Sequence, residues 1–562
     1  MLRNVGFFVL VLGLFFSSAA QSGKPLRRQA SAAPATAPLS RPKLVVGIVV
    51  DQMRWDYLYR YYDRYSSGGF RRLIGEGFSC ENTLINYLPS YTAVGHTCIF
   101  TGSVPSLTGI SSNDWIEQMT GQHQYCTDDS TVSAVGSNTR GGKMSPRNLM
   151  VSTVTDELRL ATNFRSRVVG VSLKDRASIL PAGHAATAAF WFDDGSGNFI
   201  TSTYYMQQLP AWVEKYNSGQ PAAKLAAGGW NTLYPIGTYR ESDPDDRPYE
   251  GRFSGETTST FPHKTDEIYA RSRGSLRATP FGNTLTLDFA RQAVEGYQLG
   301  HGEATDFLTI NCASTDYVGH MFGPNSIEAE DTYLRLDKDL AAFFQFLDAS
   351  VGKGQYLVFL SADHGAAHSI GFSQEHEIPA DYWNDGALVD SLNKMLAGRF
   401  GIEKLVRSGM NYQISFDMGK INGYHLDFDA IKKRTVEYCQ QQPGIAYAVD
   451  MAKIGEAPIP EPIKTMMING YNFKRSGAVQ LALNAGWFES EGKTGTTHGS
   501  WNPYDTHIPL LFMGWGIQHG STNAIVNMTD IAPTIASLLH IQMPSGCIGR
   551  PIQAVTGHQD RQ

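Results

Sequence analysis

The residues of this sequence that could carry chemistry are carboxylates and imidazoles that follow short apolar segments. They are Asp51, Asp316, His320, Asp363, His364 and His498. Taken singly, Asp51 could cap a helix and His498 could be an ordinary loop residue. Crowded carboxylates repel one another, so three aspartates and three histidines together are easier to explain as ligands of two divalent cations. A mixture of nitrogen and oxygen ligands suits zinc, with an open position on each ion for substrate oxygens.

Spacing adds to this interpretation for four of the six residues. Asp316 and His320 are four positions apart, so a helical turn after a strand would direct both side chains toward one cation. Asp363 and His364 are adjacent, and from a loop they can face different sides or share one ion.

Hydroxyl and cationic residues add a second group of candidates. Thr92 precedes a helix-like segment; as an N-cap or as a nucleophile, its oxygen would lie at a helix N-terminus, where the dipole and a nearby cation stabilise an alkoxide. Lys174 and Arg176 flank Asp175 directly after an apolar segment. Such a charge run is usually solvated surface, but here it ends a strand on the side of the sheet where we expect the site.

Three common catalytic motifs are absent from the sequence. Five residues, rather than the four of a phosphate-binding loop, separate Gly486 from Gly492-Lys493-Thr494. His376-Glu377 has no second histidine at the spacing of a helical zinc-protease motif, and no Gly-x-Ser-x-Gly elbow occurs. A serine-triad hydrolase is therefore disfavoured.

The candidate residues follow apolar segments that are typical of parallel strands buried on both faces. These segments are residues 44–50, 168–173, 307–311 and 356–360, with a further strand predicted at 508–513. Apolar residues at helical spacing predict a helix over 326–348 with a capping box of Asn325 and Glu328, and a closing helix over 530–540. This alternation predicts an α/β fold whose mostly parallel sheet has helices on both faces and its site beyond the strand ends.

The local composition of the sequence predicts how the chain divides into segments and domains. Residues 1–20 have the pattern of a cleavable secretory signal, with an apolar part too short to span a bilayer, and residues 21–42 resemble a flexible linker. We predict a catalytic domain over 43–562, with insertions at about 185–280 and 374–490 that are rich in Gly, Pro, Tyr and Ser. The protein would be periplasmic or secreted, without a stable membrane anchor.

Charge and cysteine content narrow the function classes. The 562 residues carry a formal net charge of −6, which disfavours nucleic acid as a partner. Six cysteines are too few for a disulfide scaffold, although an exported protein could pair Cys80 with Cys126. Cys98 and Cys312 lie in apolar segments and are predicted to be buried thiols.

Seven segments together resemble the alkaline phosphatase superfamily, and within it the single-chain periplasmic zinc alkaline phosphatases of the PafA type. They are residues 49–54, 91–97, 112–115, 172–176, 316–320, 363–365 and 497–499. The resemblance covers most of the chain after Pro42. It implies a three-layer sandwich and a monomeric enzyme with two zinc ions per chain. It also implies broad hydrolysis of small-molecule phosphate monoesters, with release of inorganic phosphate.

The resemblance also implies roles for single residues. One zinc would be held by Asp316, His320 and His498, and the other by Asp51, Asp363 and His364. Thr92 would attack phosphorus and form a phosphothreonine intermediate. The non-bridging phosphoryl oxygens would contact Asn113, Lys174 and Arg176. For the other nearby histidines, His96, His184 and His368, we expect packing or outer-sphere roles.

Charge favours the monoester within this superfamily, because a monoester dianion has more negative charge for Lys174 and Arg176 to pair with than a diester has. Thr92 does not decide the question, since the phosphodiesterase branch also uses threonine. The sulfatase motif is absent at Cys98. Two alternatives stay open: a phosphodiesterase or nucleotide pyrophosphatase, and a non-catalytic exported binding protein.

Overall fold

A computed structural model describes residues 41–557. The predicted signal peptide at 1–20 and nearly all of the predicted linker at 21–42 lie outside the described residues. Within the described range the strands are β1 (Leu44–Val50), β2 (Phe78–Leu84), β3 (Asp114–Ile116), β4 (His123–Tyr125), β5 (Ala134–Val135), β6 (Val168–Ser172), β7 (Ala188–Asp193), β8 (Asn198–Ser202), β9 (Asp306–Cys312), β10 (Tyr356–Ser361), β11 (Asp381–Trp383), β12 (Val406–Ser408), β13 (Gln413–Phe416), β14 (Ile445–Asp450), β15 (Val479–Leu483), β16 (Trp487–Glu489), β17 (His507–Ile508), β18 (Leu510–Gly514) and β19 (Gly520–Asn527).

Helices alternate with these strands along most of the described range. They are α1 (Tyr57–Arg60), α2 (Phe70–Glu76), α3 (Thr92–Thr101), α4 (Pro105–Thr108), α5 (Val154–Ala161), α6 (Asp175–Ala182), α7 (Ala211–Ser218), α8 (Pro221–Ala226), α9 (Thr265–Arg271), α10 (Phe281–Tyr297), α11 (Ser314–Phe322), α12 (Ile327–Leu347), α13 (Ile370–Glu375), α14 (Asp385–Phe400), α15 (Met418–Gly423), α16 (Phe428–Cys439), α17 (Ile463–Gly470), α18 (Pro503–Thr506), α19 (Ile531–Leu539) and α20 (Gln553–Thr556). None of the helices between residues 41 and 557 has the length and apolar character needed to cross a membrane.

The largest sheet has the strand order β17-β2-β18-β10-β1-β9-β6-β7-β8-β5, with β19 paired to β2. Its centre is parallel, since β10, β1, β9, β6 and β7 pair in the same direction. Every residue of β1, β6, β9 and β10 is buried, as expected for strands covered on both faces. Helix α10 packs on β6 and β9, and α6 packs on β6 and β7. The predicted fold class is confirmed.

Two local predictions need correction. The predicted strand 508–513 is split into β17 and β18 around Pro509, because proline has no N–H to donate to a ladder. The N-cap of α12 is Ser326, whose side chain accepts a hydrogen bond from the Ala329 N–H at 3.1 Å. The predicted capping box of Asn325 and Glu328 is therefore wrong. The closing helix α19 begins after Asp530, as predicted.

The two predicted insertions differ in how they relate to the main sheet. Residues 374–490 contain a separate four-stranded sheet, β12-β13-β15-β14, with a hydrophobic core of its own that includes Leu392, Ile414 and Leu481. Residues 185–280 begin with β7 and β8, which extend the main sheet.

All six cysteines lie in the described range, and all are free thiols. Cys80 is in β2 and belongs to the main core, whereas Cys126 packs in a smaller cluster with Trp115. The predicted pairing of Cys80 with Cys126 is wrong, because the two side chains pack in different hydrophobic clusters. Cys98 and Cys312 are fully buried, as predicted.

Candidate active site

The predicted site residues meet where the parallel strands end. Val49 of β1 is in register with Asn311 of β9 and Ser361 of β10, and Ser172 of β6 is also in register with Asn311. The polar residues that follow these strands are Asp51, Lys174, Asp316, Asp363 and His364. Because the strand ends are aligned, residues far apart in sequence lie at one edge of the sheet.

Asp316, His320 and His498 form the first compact group. Helix α11 carries the first two on one face, and His320 Nε2 lies 3.1 Å from Asp316 Oδ1. His498 Nε2 comes from a loop after the second insertion and lies 3.7 Å from the same oxygen. Within this group, one possible ligand atom from each residue lies within 4.8 Å of the others.

Asp51, Asp363 and His364 lie directly beside this group. His364 Nε2 is 3.6 Å from Asp51 Oδ1 and 3.3 Å from Asp363 Oδ2. The rings of His364 and His498 stack with their centroids 3.4 Å apart. Compact triplets of ligand atoms also group Asp51 with Asp316 and His364, so the six predicted ligands form one continuous cluster.

The donor atoms of this cluster fit divalent cations. Nδ1 of His320, His364 and His498 lies 2.7, 3.0 and 2.7 Å from the carbonyl oxygens of Thr496, Gly365 and Ser90, respectively. An imidazole that donates from Nδ1 keeps a lone pair on Nε2, which is the arrangement of a metal-binding histidine. Asp51 Oδ1 and Asp363 Oδ2 are buried without a hydrogen-bond partner. Unpaired carboxylate oxygens beside imidazole lone pairs are what a metal ion would satisfy.

Lys174 supplies positive charge at the centre of the cluster. Its Nζ lies 2.9 Å from Asp51 Oδ2, 2.6 Å from Asp316 Oδ2 and 3.5 Å from Thr92 Oγ1. Burial lowers the pKa of Lys174, but Asp316 and Asp51 outweigh it and hold that pKa above its ordinary value. Burial, followed by the charge of Asp363, raises the pKa of Asp51.

Thr92 is the first residue of α3, and the N-cap position belongs to Tyr91. The role of ordinary N-cap is therefore excluded for Thr92. Its Oγ1 lies 3.4 Å from His364 Nε2. The hydroxyl consequently lies beside the ligand cluster, at the positive end of the α3 dipole.

Asn113 bonds to the start of α3, and Arg176 lies in α6, which packs against α3. Each has unused donors. Asn113 Oδ1 accepts a hydrogen bond from the Ala93 N–H at 2.9 Å, which leaves its amide N–H groups to another acceptor. Arg176 Nη1 donates to the Tyr125 hydroxyl at 3.1 Å, and that hydroxyl donates to Asp175 at 2.6 Å. Arg176 Nε is buried without a hydrogen-bond partner.

Two further residues contact the cluster: His96, for which a packing or outer-sphere role was expected, and Gln52, for which no role was predicted. His96 Nδ1 lies 2.9 Å from the Thr92 carbonyl oxygen and 3.2 Å from Asp363 Oδ2. Gln52 donates through its backbone N–H to Asp363 at 3.2 Å and through Nε2 to Asp316 at 2.7 Å. His96 is four residues after Thr92 on one helix face, and this spacing could have revealed it; Gln52 has no such signal beyond following Asp51.

Comparison with known proteins gives consistent matches. A family model described as type I phosphodiesterase / nucleotide pyrophosphatase matches residues 45–505. Alkaline phosphatase PafA of Elizabethkingia meningoseptica is 55% identical over 520 residues, covering 92% of this chain and 95% of that protein. A crystal structure of wild-type alkaline phosphatase PafA has a TM-score of 0.91 at 54% identity, covering 93% of this chain and 100% of that one.

Two further relatives also match over most of their length. A Myroides odoratus protein named calcium-transporting ATPase is 52% identical over 519 residues, covering 92% of this chain and 95% of that protein. Alkaline phosphatase PhoV of Synechococcus elongatus is 51% identical over 542 residues, covering 96% of this chain and 97% of that protein. Family model, sequence identity and structural similarity agree with the predicted resemblance. The chain belongs to the type I phosphodiesterase / nucleotide pyrophosphatase family, within the alkaline phosphatase superfamily.

Proposed function

We propose that this protein is an exported alkaline phosphatase that hydrolyses phosphate monoesters of broad range, with Thr92 as nucleophile and two zinc ions per chain. The observation that carries the proposal is the position of the Thr92 hydroxyl, 3.4 Å from His364 and 3.5 Å from Lys174, beside six clustered metal-ligand candidates. The names of the relatives PafA and PhoV agree with this activity. A non-catalytic binding protein would have no need of a hydroxyl placed in this way.

The cofactors would be held by two sets of side chains. Asp316, His320 and His498 form one set, and Asp51, Asp363 and His364 form the other. When bound, two zinc ions supply Lewis acidity that lowers the pKa of an attacking hydroxyl and stabilises a leaving oxygen. Export rests on the predicted signal at residues 1–20, and a monomer with small-molecule substrates remains our expectation.

The residues of the chain divide the reaction between them. Thr92 Oγ1 forms a bond to phosphorus as the bond to the leaving oxygen breaks, which gives phosphothreonine and an alcohol. The dipole of α3 and the ammonium of Lys174 favour negative charge at Thr92 Oγ1. Donors of Asn113 and Arg176 hold the non-bridging oxygens. Water then hydrolyses phosphothreonine, which releases inorganic phosphate and restores Thr92.

The second candidate is a phosphodiesterase, and the description of the matching family favours considering it. The charges of the site argue for the monoester, because the buried ammonium of Lys174 lies 3.5 Å from Thr92 Oγ1 and the partly buried guanidinium of Arg176 adds a second cation. Burial lowers the pKa of Arg176, but the nearby Tyr125, Tyr317 and Asp175 outweigh it and keep that pKa high. A permanently charged guanidinium suits a phosphoryl dianion.

The deciding measurement is the ratio of kcat/KM for p-nitrophenyl phosphate to kcat/KM for bis-p-nitrophenyl phosphate, on zinc-loaded mature protein. We expect the monoester to be strongly preferred, and both chelation and Thr92→Ala to abolish turnover. Thr92→Ala should keep its metal content and lose acid-stable phosphoprotein after rapid quenching. A preference for the diester would move the protein to the phosphodiesterase branch, and labelled Thr92→Ala protein would refute the nucleophile.

A double variant tests the basis of the preference. Lys174→Ala with Arg176→Ala should lower kcat/KM for the monoester by more than for the diester, because the lost charges pair with dianionic oxygens. Equal losses for both substrates would remove the electrostatic argument for a monoesterase.

A further inference from the structure

Two consecutive residues of the second insertion have a backbone conformation that side chains disfavour. Asn411 and Tyr412, between β12 and β13, have φ values of 64° and 57°. Asparagine tolerates left-handed backbone, but at tyrosine this conformation costs free energy and persists where surrounding contacts hold it, often beside functional sites. The contacts that hold this turn therefore indicate which part of the site it supports.

Asn411 contacts both neighbours of Asn113. The Ser112 hydroxyl donates to Asn411 Oδ1 at 2.7 Å, and Asn411 Nδ2 donates to the Asp114 carbonyl oxygen at 2.7 Å. One amide from the insertion thus holds the chain immediately before and after Asn113. Asn411 itself has no hydrogen bond to Thr92 or to the predicted metal ligands.

Tyr412 contacts the other side of the site. Its buried ring stacks on Tyr91 at an interplanar angle of 11° and a centroid distance of 6.4 Å. Tyr91 precedes Thr92, and its ring meets the His498 ring edge-on at 5.4 Å. The Tyr412 carbonyl oxygen accepts from Gln480 Nε2 at 3.0 Å, which ties the turn to β15.

We propose that the Asn411–Tyr412 turn is a positioning element through which the second insertion orients Asn113 and the start of α3 for phosphoryl transfer. This proposal rests on the proposed function, since it assumes that Asn113 binds a phosphoryl oxygen. Asn113 Oδ1 is occupied by the Ala93 N–H, so a small shift of its backbone moves its free amide donor relative to Thr92. Small misplacements of groups that hold a substrate lower rates steeply.

Asn411→Gly is the direct test, because glycine adopts the left-handed conformation without strain and removes only the amide. We expect kcat/KM for p-nitrophenyl phosphate to fall about 10-fold, with zinc content and thermal midpoint little changed. In an Asn113→Ala background the same substitution should cost less than about 2-fold, because the group it positions is gone. Lys404→Gly serves as the matched control, because Lys404 is an exposed left-handed residue of the same insertion (φ 56°). It should leave kcat/KM unchanged in both backgrounds.

Ser112→Ala removes one of the two contacts without changing the strained turn. It should lower kcat/KM by a smaller factor, and its effect should largely vanish in Asn411→Gly or Asn113→Ala protein. This variant keeps the test decisive if Asn411→Gly does not fold.

The outcomes separate this proposal from the proposed function. Suppose that Asn113→Ala lowers kcat/KM, but that Asn411→Gly or Ser112→Ala lowers kcat/KM by the same factor in wild-type and in Asn113→Ala protein. The positioning role is then wrong, and the role of Asn113 stands. If Asn113→Ala leaves kcat/KM unchanged, the assigned role of Asn113 fails, and the positioning role fails with it.

Discussion

Two clusters of buried carboxylates in this molecule have opposite arrangements of histidine. At the end of the main sheet, three imidazoles direct Nε2 toward aspartates while Nδ1 is occupied by a carbonyl oxygen. In the second cluster, His263 has both nitrogens occupied by acids, with Nδ1 3.2 Å from Glu256 and Nε2 3.2 Å from Glu328. Glu250 lies beside Glu328 and is also buried.

The pKa values follow this difference for two of the three imidazoles at the sheet end. Burial lowers the pKa of His263, but its bonds to Glu256 and Glu328 outweigh that effect and raise the pKa to about 9. Burial lowers the pKa of His364 and His498, which favours neutral rings with a lone pair to offer. Burial also lowers the pKa of His320, but Asp316 outweighs that effect and raises the pKa. The compact groups of three metal-ligand candidates found between residues 41 and 557 all lie at the sheet end. Buried acids alone therefore do not indicate a metal site; an available imidazole lone pair beside them does.

The largest effect on activity and zinc content should come from removing a histidine at the sheet end. The matching removal in the second cluster should leave the zinc content unchanged. His364→Ala should reduce bound zinc and lower phosphatase activity by at least roughly 100-fold, the upper end of what is lost when even an outer partner of a metal ligand is removed. His263→Gln should keep full metal content. Elemental analysis after dialysis measures both, and equal zinc loss in the two variants, or none in His364→Ala, would contradict the distinction between the clusters.

A smaller effect on kcat/KM should follow from removing the hydroxyl of Tyr125, which accepts a hydrogen bond from Arg176. Tyr125→Phe removes the hydroxyl that Arg176 contacts at 3.1 Å, so we expect kcat/KM for the monoester to fall roughly 3- to 10-fold, the typical net worth of one ordinary hydrogen bond. In Arg176→Ala protein the further loss should be near zero. Tyr382→Phe, at an exposed tyrosine of β11, is the control. A loss from Tyr125→Phe that persists without Arg176 would show that the hydroxyl acts otherwise.

The last effect is on the free energy of unfolding, not on activity, and concerns the second cluster. Because the folded pKa of His263 is about 9, above its ordinary value of 6.5, its stabilisation is fully present below pH 6.5 and is lost as the pH rises through 9. The loss should be about 3 kcal/mol at most. Urea midpoints at pH 6.5 and 9.5 should therefore differ more for wild type than for His263→Gln. Parallel pH dependence in the two proteins would argue that His263 is not charged when folded.

Much of the site could be predicted from sequence because it follows strands that are visible as apolar segments. Asp51 follows β1 directly and Asp363 follows β10 closely, while the spacing of Asp316 and His320 placed them on one helix face, as the structure shows. The predicted roles of these residues stay predictions until the metal and the nucleophile are measured. The predicted disulfide failed because cysteine type and compartment say nothing about which two side chains meet.

The contacts that span large sequence separations were beyond prediction. Asn411 and Ser112 are 299 residues apart, and nothing in either segment indicates the other. The same holds for the carbonyl oxygens that occupy Nδ1 of His320 and His498. Such pairs depend on how the second insertion and the loops pack against the main sheet, and short-range sequence patterns do not encode that packing.

The sequence by itself determined the parallel sheet, the polar residues at its strand ends and the resemblance that pointed to phosphoryl transfer, because burial on both faces leaves continuous apolar segments that end at chemistry-bearing residues. Only the tertiary structure decided which imidazole nitrogen faces the carboxylates, which cation lies against Thr92, and that a turn from the insertion bonds to both neighbours of Asn113. Those features depend on distances of a few ångström between distant segments, and packing of the whole fold sets them.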